Sequence, residues 1–180
     1  MTARASMAAL ITAVRGLIGD TSTTAPVLTD DQVQAALDAW REEVRYQKLT
    51  PAETIQPGGA VVTLDYYAEM GNWETDAKLF DAQYNVITPA TSDYVVGHWT
   101  FATDTPPPVR ISGKTYDLYA AAADLLAQWA AIEKLSFDFS ADGASYQLSQ
   151  KVSALLSLAQ QYHQRQRPHC ARQVRSDLKY

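Results

Sequence analysis

Three side chains near the C-terminal end of this 180-residue chain have the types used for metal binding. They are His163, His169 and Cys170, which straddle Pro168. A structural zinc site uses about four ligands, and Cys170 is the only cysteine in the sequence. We therefore expect no metal site there.

A second group of residues faintly suggests a calcium loop. Asp138, Asp142 and Ser145 surround Gly143, but the spacing and the terminal Glu of an EF-hand are missing. A turn followed by a helix start accounts for the same residues. The chain also lacks the glycine-rich phosphate loops and the GxSxG turn of hydrolases, so we expect no cofactor.

Two carboxylates could in principle catalyse proton transfer. Asp117 and Asp124 lie seven residues apart and so share a face of a helix. Paired carboxylates do acid–base chemistry, but the more common use of such residues is to solubilise the exposed side of an apolar helix. The sequence therefore predicts a protein that is not an enzyme.

Aromatic residues concentrate in the middle of the chain. Tyr94, Trp99 and Phe101 have the near-alternate spacing of a platform on which nucleic-acid bases stack. Such a platform needs interleaved basic residues, and between residues 71 and 108 the only one is Lys78. We expect these aromatics in the core or at a protein interface. The interface candidates are Trp73, Tyr84 and Trp99.

The charge is divided unequally along the chain. From residue 161 to 180 there are five basic residues against Asp177 alone, a net charge of +4, so the remainder carries −9 of the total of −5. An acidic body repels phosphate, which disfavours general nucleic-acid binding. A basic tail can dock on an acidic protein surface, although a merely solvated terminus has the same charge pattern.

Apolar residues at helical spacing predict two helices at the start of the chain. The stripe of the first helix consists of Met7, Leu10, Ile11, Val14, Leu17 and Ile18. The second begins at Thr29, which can form a capping box with Gln32, and is predicted to continue to Leu49. Its seam consists of Val33, Leu37, Trp40 and Val44.

Residues 55–112 are rich in β-branched and aromatic types, which favour strands. The stretches "GGAVVTLDYY" and "SDYVVGHWTF" each predict one strand. "DAKLFDAQYNVITPA" predicts two short strands around a turn at 82–85, and residues 109–112 form a further short strand.

Two more helices follow. "TYDLYAAAADLLAQWAAIEKL" predicts a central buried helix, because its four alanines favour helix and permit close approach of its neighbours. The last helix ends near Arg167, before Pro168. Its seam consists of Leu148, Val152, Leu155, Ala159 and Tyr162.

The predicted fold is therefore mainly α. A four-helix bundle-like domain spans residues 1–164, with a small antiparallel β segment inserted between the second and third helices at 55–112. Residues 165–180 form a C-terminal extension. We expect no membrane span, and an amphipathic first helix explains the N-terminus better than a signal peptide. The single cysteine excludes an intramolecular disulfide.

The order of these segments resembles the head–tail adaptor (head-completion, connector) proteins of tailed bacteriophages. The stretches that carry the resemblance are "LTDDQVQAALDAWREEVRY", the β segment, "YDLYAAAADLL" and "DGASYQLSQK". It implies a structural protein of the virion, assembled in the host cytoplasm as a ring beneath the portal, most often of twelve copies. Such a ring extends the DNA channel without binding DNA specifically, and offers a platform to the next neck or tail protein.

The resemblance also implies that the C-terminal segment reaches into the portal. The residues that this assigns to portal binding are Arg165, Arg167, Arg172, Arg175, Lys179 and Tyr180. An alternative is a cytoplasmic helical regulatory or nucleic-acid-binding module that uses the same basic tail.

Overall fold

The computed structural model describes residues 3–22, 24–56, 58–137 and 145–168, without the side chains of 135–137 and 145–149. In these ranges a 3-10 turn, Ala5–Met7, precedes four α-helices. The helices are α1 (Ala8–Ile18), α2 (Asp30–Ala39), α3 (Leu118–Phe137) and α4 (Ser145–His163). The strands are β1 (Arg41–Lys48), β2 (Thr50–Ile55), β3 (Val61–Tyr67), β4 (Lys78–Phe80), β5 (Val86–Ile87), β6 (Thr91–Asp93), β7 (His98–Thr100) and β8 (Arg110–Tyr116).

The helices pack around α3, as the alanine run predicts. All four alanines at 120–123 are fully buried, and α3 contacts α1, α2 and α4. Leu125 and Leu126 are also fully buried in the same hydrophobic cluster. On α4, Ala159 is buried and Leu155 and Tyr162 pack against the cluster from its edge. The predicted seam of α1 is therefore confirmed, and so is that of α4 at Leu155, Ala159 and Tyr162.

The start of α2 is the capping box that the sequence predicts. The Thr29 hydroxyl accepts a hydrogen bond from the backbone N–H of Gln32, and the Gln32 side chain accepts one from the backbone N–H of Thr29. Two N–H groups that helix geometry leaves without partners are thereby satisfied.

The strands form two antiparallel sheets that share one core. Sheet A has the order β1-β8-β4-β5 and sheet B the order β2-β3-β7-β6. Leu49, between β1 and β2, is where the chain passes from one sheet to the other. The buried residues of this core come from both sheets and the loops between them. They are Leu49, Tyr66, Trp73, Leu79, Trp99, Phe101, Val109 and Ile111.

The prediction of a mainly α fold is wrong. Two four-stranded sheets make this a mixed α/β protein, and the β region runs from Arg41 to Tyr116 instead of 55–112. The predicted second helix ends at Ala39, and the residues expected to continue it form β1. Residues 41–48 are mostly good helix formers, but pairing with β8 along most of β1 outweighs that local preference.

Two smaller predictions also need correction. "SDYVVGHWTF" forms a hairpin of β6 and β7 instead of one strand. The Asp93 carboxylate accepts hydrogen bonds from the backbone N–H groups of Val95 and Val96, and Gly97 takes the left-handed φ of 81° that the turn requires. Helix α4 ends at His163, short of Arg167. The strands predicted in "GGAVVTLDYY" and around 82–85 are confirmed.

Candidate functional site

The basic C-terminal segment is attached to the body at Arg167. The backbone N–H of Arg167 donates to Oδ2 of Asp117 at 2.5 Å. Its guanidinium donates to Oγ1 of Thr115 at 3.1 Å and to the carbonyl oxygen of Gly71 at 3.0 Å. Thr115 lies near the end of β8, and Asp117 immediately precedes the first residue of α3. We call this set of contacts the Arg167 anchor, and it binds the chain after α4 to the junction of the helices and the sheets.

The other residues assigned to portal binding have different positions. Arg165 is exposed, with its guanidinium carbon 6.0 Å from the ring centre of Tyr119. Arg172, Arg175, Lys179 and Tyr180 lie outside the described residues. Of the two that the structure describes, Arg167 is the one whose side chain is hydrogen-bonded to the body of the protein.

Asp117 and Asp124 are both held by structural donors. Oδ1 of Asp117 accepts from the backbone N–H groups of Tyr119 and Ala120, which caps α3, while its other oxygen accepts from Arg167. Oδ2 of Asp124 accepts from the indole N–H of Trp40 at 2.6 Å. Asp117 is buried, so the expectation that this face of the helix is solvated is wrong for Asp117. Both carboxylates therefore act as hydrogen-bond acceptors within the fold.

Replacing Asp117 with alanine should lower the free energy of unfolding by about 1 to 2 kcal/mol, because α3 loses its N-cap. It should also accelerate amide hydrogen exchange at Arg167, whose N–H loses its acceptor. Hydrogen exchange read by mass spectrometry on peptides covering 160–168 measures this. Glu133→Ala, which removes an ion pair with Lys151 elsewhere between α3 and α4, is the control. Equal protection at Arg167 in the unaltered protein, in Asp117→Ala and in Glu133→Ala would contradict the Arg167 anchor.

A buried carboxylate that sequence analysis did not identify lies beside this junction. Glu74 is fully buried. One of its oxygens accepts from the Ser6 hydroxyl at 2.5 Å and from Nε of Arg4 at 3.1 Å. The other accepts from the Tyr116 hydroxyl at 2.6 Å and lies 3.4 Å from Nζ of Lys114. We call these five residues the Glu74 network, and it joins the N-terminal turn to β8.

The network extends to α2 through a two-pronged ion pair. Nη1 and Nη2 of Arg4 donate to the two carboxylate oxygens of Asp38 at 3.0 and 2.7 Å. The bond to Asp38 raises the pKa of Arg4. Burial, followed by the bond to Glu74, raises the pKa of Tyr116, so this hydroxyl remains a donor. Arg4 and Tyr116 lie 112 positions apart, and no local pattern in the sequence indicates such a pairing.

Burial alone would raise the pKa of Glu74, but other effects outweigh it. Hydrogen bonds from Ser6 and Tyr116, with the charges of Arg4 and Lys114, lower the pKa from 4.5 to about 2. Ser6, Tyr116 and Nε of Arg4 all donate to this carboxylate. The geometry therefore fits a structural link between the N-terminal turn, β8 and α2.

The three aromatic residues predicted as interface candidates divide into two classes. Trp73 and Trp99 are each 1% exposed and meet edge to face with ring centres 6.2 Å apart, so they belong to the shared core of the sheets. Tyr84 is 55% exposed at the turn between β4 and β5. Among these candidates, Tyr84 is the one whose ring is available to a partner.

The remaining candidate groups show no assembled site within the described ranges. There, no cluster of His, Cys, Asp and Glu could hold a metal ion. His163 is exposed and lies 3.3 Å from Oε1 of Gln166, while His169, Cys170, Asp138 and Asp142 fall outside those ranges. In the same part of the chain, no helix has the length and apolar character needed to cross a membrane.

Comparison of the chain with protein families, with curated proteins and with solved structures returned no match.

Proposed function

We propose that this protein is a structural head–tail adaptor of a tailed bacteriophage. In this role, copies of the chain form a ring below the portal, extend the DNA channel and offer a platform for the next neck or tail protein. In this role the protein would catalyse no reaction. DNA would pass through the lumen of the ring without specific binding, since the body of the chain carries −9.

The order of elements supports the proposal. The helix pair α1 and α2, the β region, the alanine-rich α3 and the final α4 follow one another as the resemblance implies. The β region is larger than the sequence predicts, with two sheets instead of one small segment. In the proposed adaptor, the β region would present further surface to neighbouring copies or to the tail side.

The observation that carries the proposal is that the basic segment begins at a residue, Arg167, that is hydrogen-bonded to the body of the protein. The Arg167 anchor binds the chain at the junction of helices and sheets, and residues 168–180 continue from there with Arg172, Arg175 and Lys179 against Asp177. A short segment that starts from a fixed point loses less freedom on binding than one attached through a loose linker. Repetition of the segment around a ring would then multiply a modest affinity for an acidic or grooved portal surface.

The test is native mass spectrometry of this protein mixed with the portal ring from the same genome. Three proteins are compared: the full chain, a chain that ends at Pro168, and the full chain with Arg172, Arg175 and Lys179 replaced by alanine. The chain ending at Pro168 keeps the Arg167 anchor, so a loss of binding cannot be attributed to a damaged body. Circular dichroism confirms that each protein is folded.

The full chain should add to the portal in a fixed multiple, and the two altered chains should bind at least about tenfold more weakly. Addition of all three proteins would support the adaptor and reject the C-terminal segment as its portal contact. Failure of the full chain to add would overturn the proposed function.

A further inference from the structure

The two sheets carry opposite charge. The strands of sheet A hold six basic residues and two acidic ones, Glu42 and Glu43. The strands of sheet B hold Glu53, Asp65 and Asp93 and no Lys or Arg. The six basic residues of sheet A are Arg41, Arg45, Lys48, Lys78, Arg110 and Lys114. Lys48 and Lys78 are exposed, and within the described residues neither forms an ion pair with a carboxylate.

The outer side of sheet A also exposes a cluster of aromatic rings. Tyr46 meets Phe80 and Tyr84 edge to face, with ring centres 5.1 and 5.2 Å apart. The guanidinium of Arg110 lies 4.6 Å from the centre of the Tyr84 ring. Tyr46 and Tyr84 are both about half exposed, at 48% and 55%. We call these four residues, together with the exposed Lys48, which pairs with Arg110, and Lys78, two positions before Phe80 on β4, the sheet A patch.

The backbone holds the two tyrosines of this patch in an uncommon conformation. Tyr46 has a φ of 51° and Tyr84 a φ of 65°, the left-handed region that bulky residues rarely adopt. At Tyr46 this coincides with the irregularity in the pairing of β1 with β8. Irregularities of this kind reorient side chains at the edges of sheets. Glycine or asparagine would suit these positions better, so keeping exposed tyrosines there is consistent with a binding role.

Sheet B exposes apolar side chains beside its carboxylates. Val95 and Val96, in the turn between β6 and β7, are 41% and 61% exposed, and Tyr67 on β3 is 42% exposed. Tyr67 is stacked on His98 at 4.4 Å, and His98 contacts Asp65. We call the surface formed by Tyr67, Val95, Val96, Asp65 and Glu53 the sheet B patch. Exposed apolar residues grouped in this way mark interaction surfaces.

The two patches face away from each other within one molecule. Leu79 and Ile111 of sheet A, with Tyr66 and Trp99 of sheet B, fill the shared core. Side chains that alternate with core residues along a strand point to the opposite face of its sheet. A basic aromatic patch on one side of the protein and an acidic apolar patch on the other cannot meet inside one copy, but they complement each other between two copies.

We infer that the β region associates head to tail with a second copy of this chain, the sheet A patch of one copy against the sheet B patch of the next. Such a contact joins two different surfaces, so it closes into a ring or continues as a filament according to the rotation between copies. The charges set the orientation, and the apolar residues supply contact area. In the proposed function, on which this assignment rests, the contact is the one between neighbours in the ring.

The experiment uses charge reversal with complementation. One full-length variant carries Lys48→Glu and Lys78→Glu, which makes the sheet A patch acidic. A second carries Glu53→Lys, which reverses the charge of the exposed glutamate of the sheet B patch. A control for the first variant carries Lys134→Glu and Lys151→Glu, the same change in net charge as that variant, placed on α3 and α4. Sedimentation velocity measures association from micromolar to millimolar concentration.

The unaltered chain should associate at low ionic strength, and the association should weaken at about 1 M salt, where charges are screened beyond about 3 Å. Each reversed variant should associate at least about tenfold more weakly than the unaltered chain, and the control should match the unaltered chain. A mixture of the two reversed variants should recover association, because each altered surface then meets a surface of the opposite sign. Placing all three substitutions in one chain should recover it as well.

A chain that stays monomeric throughout, or equal association of the unaltered chain and both reversed variants, would overturn the inference. So would a monomer whose Lys48 and Lys78 instead bind a thymidine oligonucleotide, added as a separate probe, since that result assigns the sheet A patch to nucleic acid. The assay contains this chain alone. Self-association without portal binding would therefore reject the proposed function and keep the head-to-tail contact. Portal binding by a chain that does not self-associate through these patches would reject the head-to-tail contact and keep the proposed function.

Discussion

Replacing Glu74 with alanine is expected to lower the free energy of unfolding by about 3 to 5 kcal/mol at pH 7. The side chain is fully buried and accepts from Ser6, Arg4 and Tyr116, so its removal leaves several donors without an acceptor and Arg4 with less negative charge beside it. The loss should appear in urea unfolding as a lower midpoint. Asp76→Asn is the control, because Asp76 is half exposed and contacts Lys114 alone within the described ion pairs.

The same carboxylate should make stability depend on pH in acid. The pKa of Glu74 is about 2 in the folded protein, below its ordinary value of 4.5. On acidification the unfolded chain therefore takes up this proton first. The stabilisation from Glu74 is complete above about pH 5 and is lost as the pH falls toward 2, by up to about 3 kcal/mol.

Glu74→Gln has no carboxylate at this position, so its stability should fall less steeply between pH 5 and pH 2. The difference between the two unfolding curves isolates Glu74 from the other acids of the chain. Parallel curves for Glu74→Gln and the unaltered protein would show that the network does not stabilise the ionised carboxylate.

Local patterns in the sequence are sufficient for the helices that the structure confirms. The stripe from Leu10 to Ile18, the capping box at Thr29 and the alanines at 120–123 are each recognisable within one or two helical turns. Where local preference and tertiary pairing disagree, the prediction fails. Residues 41–48 have the composition of a helix, yet they pair with residues 110–116, and no window around β1 contains that partner.

The contacts at the junction are harder still to predict. The Glu74 network joins Arg4, Glu74 and Tyr116, and the Arg167 anchor joins Arg167 to Gly71 and Thr115. Each pairing depends on how the helices sit on the sheets, which follows from the whole fold. The charge division between sheets A and B is different. All of its residues are visible in the sequence, but their segregation appears only after β1, β4 and β8 are known to form one sheet.

Replacing Trp73 with alanine should also cost about 3 to 5 kcal/mol of unfolding free energy, because a large buried ring is lost and a cavity remains. Trp73 connects both sheets. Its backbone forms an isolated bridge to Thr115 beside sheet A, its ring meets Trp99 of sheet B, and its indole N–H donates to the carbonyl oxygen of Met70 at 2.6 Å.

Tyr84→Ala is the matched control, since both residues were candidates for a partner-binding surface. The Tyr84 ring is exposed and contacts Tyr46 and Arg110, so its loss should change stability by less than about 1 kcal/mol. Thermal and urea unfolding measure the stability of the two variants, and Trp73→Ala should be the less stable. Sedimentation velocity measures self-association of the folded proteins, and Tyr84→Ala should be the more weakened. If Trp73→Ala kept full stability and lost association, Trp73 would be a contact residue instead of the core connection between the sheets. If Tyr84→Ala lost stability like Trp73→Ala, the sheet A patch would be needed for folding, and its exposed tyrosines would no longer point to a partner.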